Sequence, residues 1–252
     1  MKDNKNKILN IFLPILAIGC LLIVWTVASH VVDSEFILPS ISQTAGELGK
    51  LFTDGAFYYA LLQTFIRSLI SFVVSFLLAF AFAFLTTKSR VLDKLLSPLV
   101  SVTRALPTIA IALILYYWLS NYTAAIVVTM LVVFPTVYTN IKNAFGEIDY
   151  KLVDMCDVFM VSKKDKYNKV IVPQLMPAIL SSIGSGLSLN IKLMVAAEVL
   201  CETAYSIGIL LRTAKAYYDI ATMLALVVVC VIISSFFEFL FNSLSKKVGK
   251  WK

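Results

Sequence analysis

Six long apolar runs constrain this chain more than anything else: Ile8–His30, Thr64–Thr87, Leu99–Leu119, Thr123–Asn140, Ala178–Leu200 and Ile220–Leu240. A helix needs roughly 20 apolar residues to cross the hydrocarbon core of a bilayer. In lipid, each backbone N–H and C=O must find its partner inside the protein, which leaves helices or closed barrels. Runs of this length therefore predict an all-α membrane protein with six transmembrane helices. The composition agrees, since 60% of the residues are hydrophobic against about 45–50% in a soluble domain. The first run follows Lys2, Lys5 and Lys7 and so has the look of a secretory signal. It exceeds the usual apolar core of about 7–15 residues and lacks a small-residue cleavage site, so it is predicted to stay as a permanent span.

Charge predicts the orientation. With the amino terminus inside, the inner segments hold sixteen basic residues: Lys2, Lys5 and Lys7; Lys88, Arg90 and Lys94; six lysines from Lys142 to Lys169; and Lys246, Lys247, Lys250 and Lys252. The outer segments hold four, namely Lys50, Arg67, Arg212 and Lys215. That asymmetry places both termini in the cytoplasm. It also accounts for the net charge of +7 without a nucleic-acid partner, for which no basic-aromatic platform is visible.

Several chemistries are excluded or disfavoured. His30 is the single histidine, which rules out multi-histidine zinc sites and argues against a histidine-based triad; its place is the outer interface. No glycine-rich phosphate loop ending in Lys-Ser or Lys-Thr occurs, so the chain does not cradle ATP in that way. Cys20 and Cys230 fall within spans, Cys156 in an inner loop and Cys201 near the outer face, and no structural disulfide is expected.

The segments between spans are patterned. Residues 31–63 are long enough for a short surface helix, opened by Pro39-Ser40 with Ser40 or Ser42 as cap and Glu47 in its early turns. Residues 141–177 have a helical pattern of mixed charge broken at Pro173 and Pro177. They are too polar to span and should form short helices at the inner face.

Within the spans, Ser181, Ser185, Ser188 and Lys192 follow at steps of four, three and four, which puts them on one helical face. Glu198 lies six residues beyond Lys192, about 9 Å along the axis and roughly 120° around it, so the two are not expected to pair within the helix. Intramembrane charges mark pathways or pair with one another. Lys192 therefore either lines the path of an anionic solute or neutralises Glu198 or another acid across a subunit boundary. Thr64, Ser68, Ser71 and Ser75 repeat the spacing and are read as a packing stripe. Arg67 and Arg104, near span ends, are expected to snorkel, Glu238 to anchor at the inner interface, and Pro107 and Pro135 to bend or start helices.

The stretch DMCDVFMVSKKDKYNKVIVPQLMPAIL resembles the cytoplasmic loop of binding-protein-dependent ABC importer permeases. Asp154, Met155 and Cys156 fall at the family's Glu-Ala-Ala positions, Met160 at its Gly, and Val170, Val172 and Pro173 at its apolar-x-Leu-Pro close. Other pieces follow in order: Leu38-Pro39-Ser40 after the first span, Thr64 to Leu69 with Arg67 at the second, Arg104-Ala105-Leu106-Pro107 before the third, and Ala197-Glu198 late in the fifth. The set suggests the nitrate/sulfonate/taurine branch.

The resemblance implies a type I ABC importer permease fold in one domain over 1–252, with a cytoplasmic coupling region at 141–177. It implies a bacterial cytoplasmic membrane protein with no catalytic residue and no cofactor of its own, ATP and Mg being held by a separate cytoplasmic ABC ATPase. Further partners are an extracytoplasmic solute-binding protein, a second permease subunit, identical or related, and membrane lipid. ATPase coupling falls to Asp154, Cys156, Asp157, Val158, Phe159, Met160, Val161, Ser162, Lys163 and Pro173, with the apolar members at the centre and lysines at the rim. The solute pathway falls to Ser185, Ser188, Lys192 and Glu198. A side chain at Met160 resists the turn that glycine permits, which implies an altered turn or a different packing partner. The alternatives are a loop lying on lipid headgroups and, for the whole chain, an ion channel or ion-coupled carrier, against which no selectivity filter or arginine series is visible.

Overall fold

The computed structural model describes the backbone of residues 2–249 and the side chains of residues 12, 13 and 16–249. Lys2, Lys5, Lys7, Lys250 and Lys252 of the charge count lie outside the described side chains. The helices are α1 (Lys2–Val32), α2 (Ile41–Leu51), α3 (Gly55–Lys88), α4 (Arg90–Ala105), α5 (Thr108–Trp118), α6 (Asn121–Gly146), α7 (Tyr150–Val158), the single turn α8 (Lys163–Asp165), a π-helical turn (Lys166–Ile171), α9 (Val172–Leu200), α10 (Ile207–Ala216) and α11 (Ile220–Val248). The protein is all-α, with no strand among the described residues.

Among the described residues, four helices are long and apolar enough to cross a membrane: α3, α6, α11 and the continuous run Lys163–Leu200. The pair α4 and α5 passes the same test together but bends by 93° between them, and the described apolar part of α1 is Leu16–Val32. The span expected over 99–119 is built from two helices that meet at Pro107, where the sequence predicts a bend or a helix start. Pro107 has no N–H to continue the ladder and forces Leu106 into an extended conformation (φ −68°, ψ 129°). Pro107 then serves as N-cap of α5.

The chain divides into two compact units, Met1–Tyr58 with Leu210–Val228, and Tyr59–Ile209 with Val229–Lys252. In the first unit, Trp25 Nε1 donates to the Pro39 carbonyl at 3.0 Å, tying α1 to the start of α2. Ser40 caps α2 in a reciprocal box with Gln43. Glu47 Oε1 accepts from Lys50 Nζ at 2.6 Å, and this bond holds the Lys50 ammonium above the usual lysine range.

The second unit carries the main core, in which α6 and α9 form the principal packing pair. Phe72, Val133, Val137, Tyr138, Ile141, Phe145, Leu187 and Ile191 are buried in one cluster, and Ala112, Ala124, Ala125, Val128, Met194 and Ala197 in a second. Small residues set how closely the helices approach. A Cβ on Gly186 would sit 3.0 Å from both Phe72 Cε2 and Val137 Cγ2, so this glycine permits α3, α6 and α9 to meet. The stripe Thr64, Ser68, Ser71 and Ser75 is fully interior, at 0–3% exposure.

Candidate functional site

The lysine-rich loop is built by local capping. Asp149 starts α7 by accepting from the Lys151 N–H at 2.9 Å, and its own N–H donates to Gln174 Oε1 at 2.8 Å, fixing α7 against the start of α9. At the other end the Met160 N–H reaches the Asp157 carbonyl at 3.1 Å and the Val161 N–H reaches the Cys156 carbonyl at 2.9 Å. These two bonds make a Schellman stop, whose pivotal position is normally glycine. Here it is Met160, at φ 53°. Of the two alternatives this methionine left open, an altered turn or a different packing partner, the turn is not altered: the glycine-type turn is retained, with a side chain in the left-handed region. The hydrogen bonds satisfy the carbonyls at the end of α7 and offset the steric cost.

The turn holds Val158, Phe159 and Met160 outward at 77%, 73% and 92% exposure. Three consecutive apolar side chains facing out of a polar loop are unusual for a surface left in water. Asp157 receives both bonds from Lys166 Nζ, at 2.7 and 2.6 Å. Ser162 caps the next turn by accepting from the Asp165 N–H at 3.2 Å, and Lys169 pairs with Asp165 at 2.8 Å. Asp154, Lys163 and Pro173 are exposed and Val161 is 39% exposed, whereas Cys156 is buried. Cys156 thus packs inward within the chain. The π-helical turn has a cause in the sequence. Pro173 cannot donate to Lys169 and its ring would crowd that carbonyl; the backbone widens just before it, with the Val172 N–H bonded back to Tyr167.

The predicted pathway residues separate. Ser185 and Lys192 are exposed on α9, and Lys192 has no ion-pair or hydrogen-bond partner among the described residues. Ser181 donates to Asn242 Oδ1 at 3.2 Å. Ser188 is buried with no partner for its hydroxyl, because its place on α9 turns into the protein. Glu198 is also interior, at 0% exposure.

The reason is an ion pair that sequence reasoning missed. Arg67 Nε donates to Glu198 Oε1 at 2.9 Å, with the two side chains 2% and 0% exposed. Arg67 Nη2 donates to the Tyr205 carbonyl at 2.9 Å, and Thr64 Oγ1 donates to Glu198 Oε2 at 2.9 Å. The Ile207 N–H donates to Thr64 Oγ1 at 2.9 Å and the Gly208 N–H to Glu198 Oε2 at 3.3 Å. The expectation that Arg67 snorkels to the surface is corrected, since its guanidinium is held inside by this network. Gly208 is required here: a Cβ on it would lie 2.7 Å from the Glu198 carbonyl carbon. The available signal was depth, because Arg67 begins one span and Glu198 nears the end of another running the opposite way. Arg104 donates to the Pro135 carbonyl at 3.0 Å and also reaches Thr139.

Beside the pair lies a cleft of about 440 Å³ lined by Tyr59, Gln63, Arg67, Tyr122, Tyr205 and the loops at Ser120–Asn121 and Glu202–Ala204. Arg67 stands over the Tyr122 ring, 5.3 Å from its centroid. Asn121 and the start of α7 sit at opposite ends of α6, so the cleft and the lysine-rich loop face opposite ends of the second unit.

Residues 73–250 match the family described as Binding-protein-dependent transport system inner membrane component. The chain is 26% identical over 218 residues to the riboflavin transport system permease protein RibX of Chloroflexus aurantiacus, covering 86% of this chain and 81% of that protein. It is 22% identical over 246 residues to the taurine transport system permease protein TauC of Escherichia coli, covering 94% and 89%. Among solved structures, an amino acid ABC transporter crystallised with histidines superposes with a TM-score of 0.61 at 15% identity, covering 81% of this chain and 98% of that one. The MetNI methionine ABC transporter in an inward-facing conformation gives 0.59 at 18% identity, covering 76% and 93%. The chain belongs to the binding-protein-dependent transport system inner membrane components and is a membrane permease subunit of the ABC importer class.

Proposed function

We propose that the chain is one of two permease subunits, identical or related, that pass a small anionic solute from an extracytoplasmic binding protein into the cytoplasm. A separate ABC ATPase holds ATP and Mg and drives the cycle. Both termini lie inside, as the sixteen-to-four distribution of basic residues favours. The observation that carries the reading is the tip of α7, where Val158, Phe159 and Met160 stand outward in a loop rimmed by Lys163 and Lys164. An apolar centre with a charged rim suits a protein interface, and the ATPase is the partner the family supplies. The chain itself performs no covalent chemistry.

The exposed and unpartnered Lys192, with Ser185 two turns away on the same face, supports an anionic solute and a path along α9. Relatives named for riboflavin and taurine show that solutes of different kinds are carried within the family. The test is Phe159→Asp, which places a charge at the centre of the interface. The reading predicts loss of uptake and of ATPase co-purification with normal membrane levels of the chain. Unchanged ATPase retention would remove its support.

A further inference from the structure

The cleft beside the Arg67–Glu198 pair is not explained by that ion pair alone. Its walls are the first turns of α3, the connection before α6 and the connection between α9 and α10. Three tyrosines stand in it with their rings open: Tyr59 at 50%, Tyr122 at 41% and Tyr205 at 68% exposure. Tyr59 and Tyr205 meet edge to face, with centroids 5.5 Å apart and an interplanar angle of 77°. Two lining residues, Glu202 and Tyr205, adopt φ of 51° and 48°. Side chains in that region carry strain that the surroundings must offset. Burial of the Tyr205 ring does not offset it, because the ring is mostly open.

The polar groups are sparse and face inward. Arg67 uses Nε and Nη2 on Glu198 and on the Tyr205 carbonyl, and Nη1 has no protein partner among the described residues. The Asn121 amide donates to the Glu202 carbonyl at 3.2 Å, which leaves its own carbonyl as an acceptor toward the cleft. Gln63 adds a further donor and acceptor. The Arg67 charge is balanced by Glu198, so the site does not select for negative charge. Concave sites of this size with aromatic walls and a few polar groups are the usual form of small-molecule pockets.

We propose that this cleft binds the planar heteroaromatic ring of a solute, stacked against Tyr205 and Tyr59, with a ring carbonyl accepting from Arg67 and a ring N–H donating to Asn121. The inference rests on the permease reading and deepens it: the ring enters here, and any anionic substituent is left for Lys192. The full chain, purified with its ATPase into lipid nanodiscs, is titrated with uracil and with 5,6-dihydrouracil. These two probes share a hydrogen-bonding edge and differ in ring planarity, and binding is read by saturation-transfer NMR.

Saturable uracil binding is expected, with a roughly tenfold loss for dihydrouracil and in Tyr205→Ala or Tyr59→Ala, about what one stacking face contributes. Tyr205→Phe should bind as the native chain does. Equal binding of the two probes, binding unchanged in both alanine variants, or no uracil binding overturns the proposal. So does loss of binding-protein docking in Tyr205→Ala without uracil binding, which would put a protein loop in the cleft. ATPase retention is scored in the same preparation. Loss of the ATPase counts against the permease reading, whereas loss of uracil binding with the ATPase retained counts against the cleft alone.

Discussion

Removing both members of the Arg67–Glu198 pair should cost less than the two single removals added together. The two side chains are 2% and 0% exposed with Nε and Oε1 2.9 Å apart, so neither charge can turn to water when its partner is lost. At an effective dielectric of about 20, unit charges at this separation attract by roughly 6 kcal/mol. Desolvation cancels much of that in the intact pair, but it is uncompensated in a single variant. Arg67→Met leaves the Glu198 carboxylate with only Thr64 and the Gly208 N–H as donors. Breaking a buried pair in this way costs about 3–5 kcal/mol. At roughly 2–4 °C per kcal/mol for a chain of this size, the midpoint should fall by about 6–20 °C. Glu198→Met should fall similarly. In Arg67→Met with Glu198→Met, no unpaired charge remains and only neutral hydrogen bonds are lost, those of the Thr64 hydroxyl, the Gly208 N–H and the Tyr205 carbonyl, so the loss should fall well short of the two single losses added together. Thermal unfolding in detergent, followed by tryptophan fluorescence, reads all three. A single variant that melts within about 2 °C of the native chain, or a double variant whose loss equals the sum of the singles, would refute the reasoning.

Met160→Gly should relieve the left-handed backbone at φ 53° and slow proteolysis of the loop, by a stabilisation of about 1 kcal/mol, while weakening ATPase retention through loss of an exposed apolar side chain; limited proteolysis and co-purification separate the two effects. Gly208→Ala should prevent accumulation of folded protein, because its Cβ would press on the Glu198 backbone; normal yield by size-exclusion chromatography would contradict this. Lys192→Met should leave assembly and midpoint unchanged, since the side chain is exposed, and reduce uptake of a radiolabelled anionic solute by tenfold or more, on the order of one lost charged contact.

The helical class, the order of the spans and the Ser40 cap were legible because long apolar runs and N-cap chemistry are local signals. The break at Pro107 was legible as a bend, but its angle of 93° depends on how α5 packs, which no local pattern encodes. The loop between 141 and 177 was readable as short helices. That Met160 would keep a glycine-type turn was not, because the deciding Schellman bonds run to Cys156 and Asp157 only once α7 has formed. Arg67 and Glu198 were each visible as charges near span ends, 131 residues apart. Their pairing required the three-dimensional neighbourhood of α3 and α9. Ser188 shares its stripe with the exposed Ser185 and Lys192 yet is buried, because a stripe fixes a face but not how much of it neighbouring helices cover.

The most direct test of the account is whether the tip of α7 holds an ATPase. The native chain and Phe159→Asp are purified in mild detergent from the source cells after cross-linking in intact membranes, and bound proteins are quantified by mass spectrometry. The account predicts a nucleotide-binding ABC ATPase in stoichiometric amount with the native chain and its loss from Phe159→Asp at equal membrane abundance. Repeated recovery of the native chain without such an ATPase, or equal recovery with both chains, would contradict it.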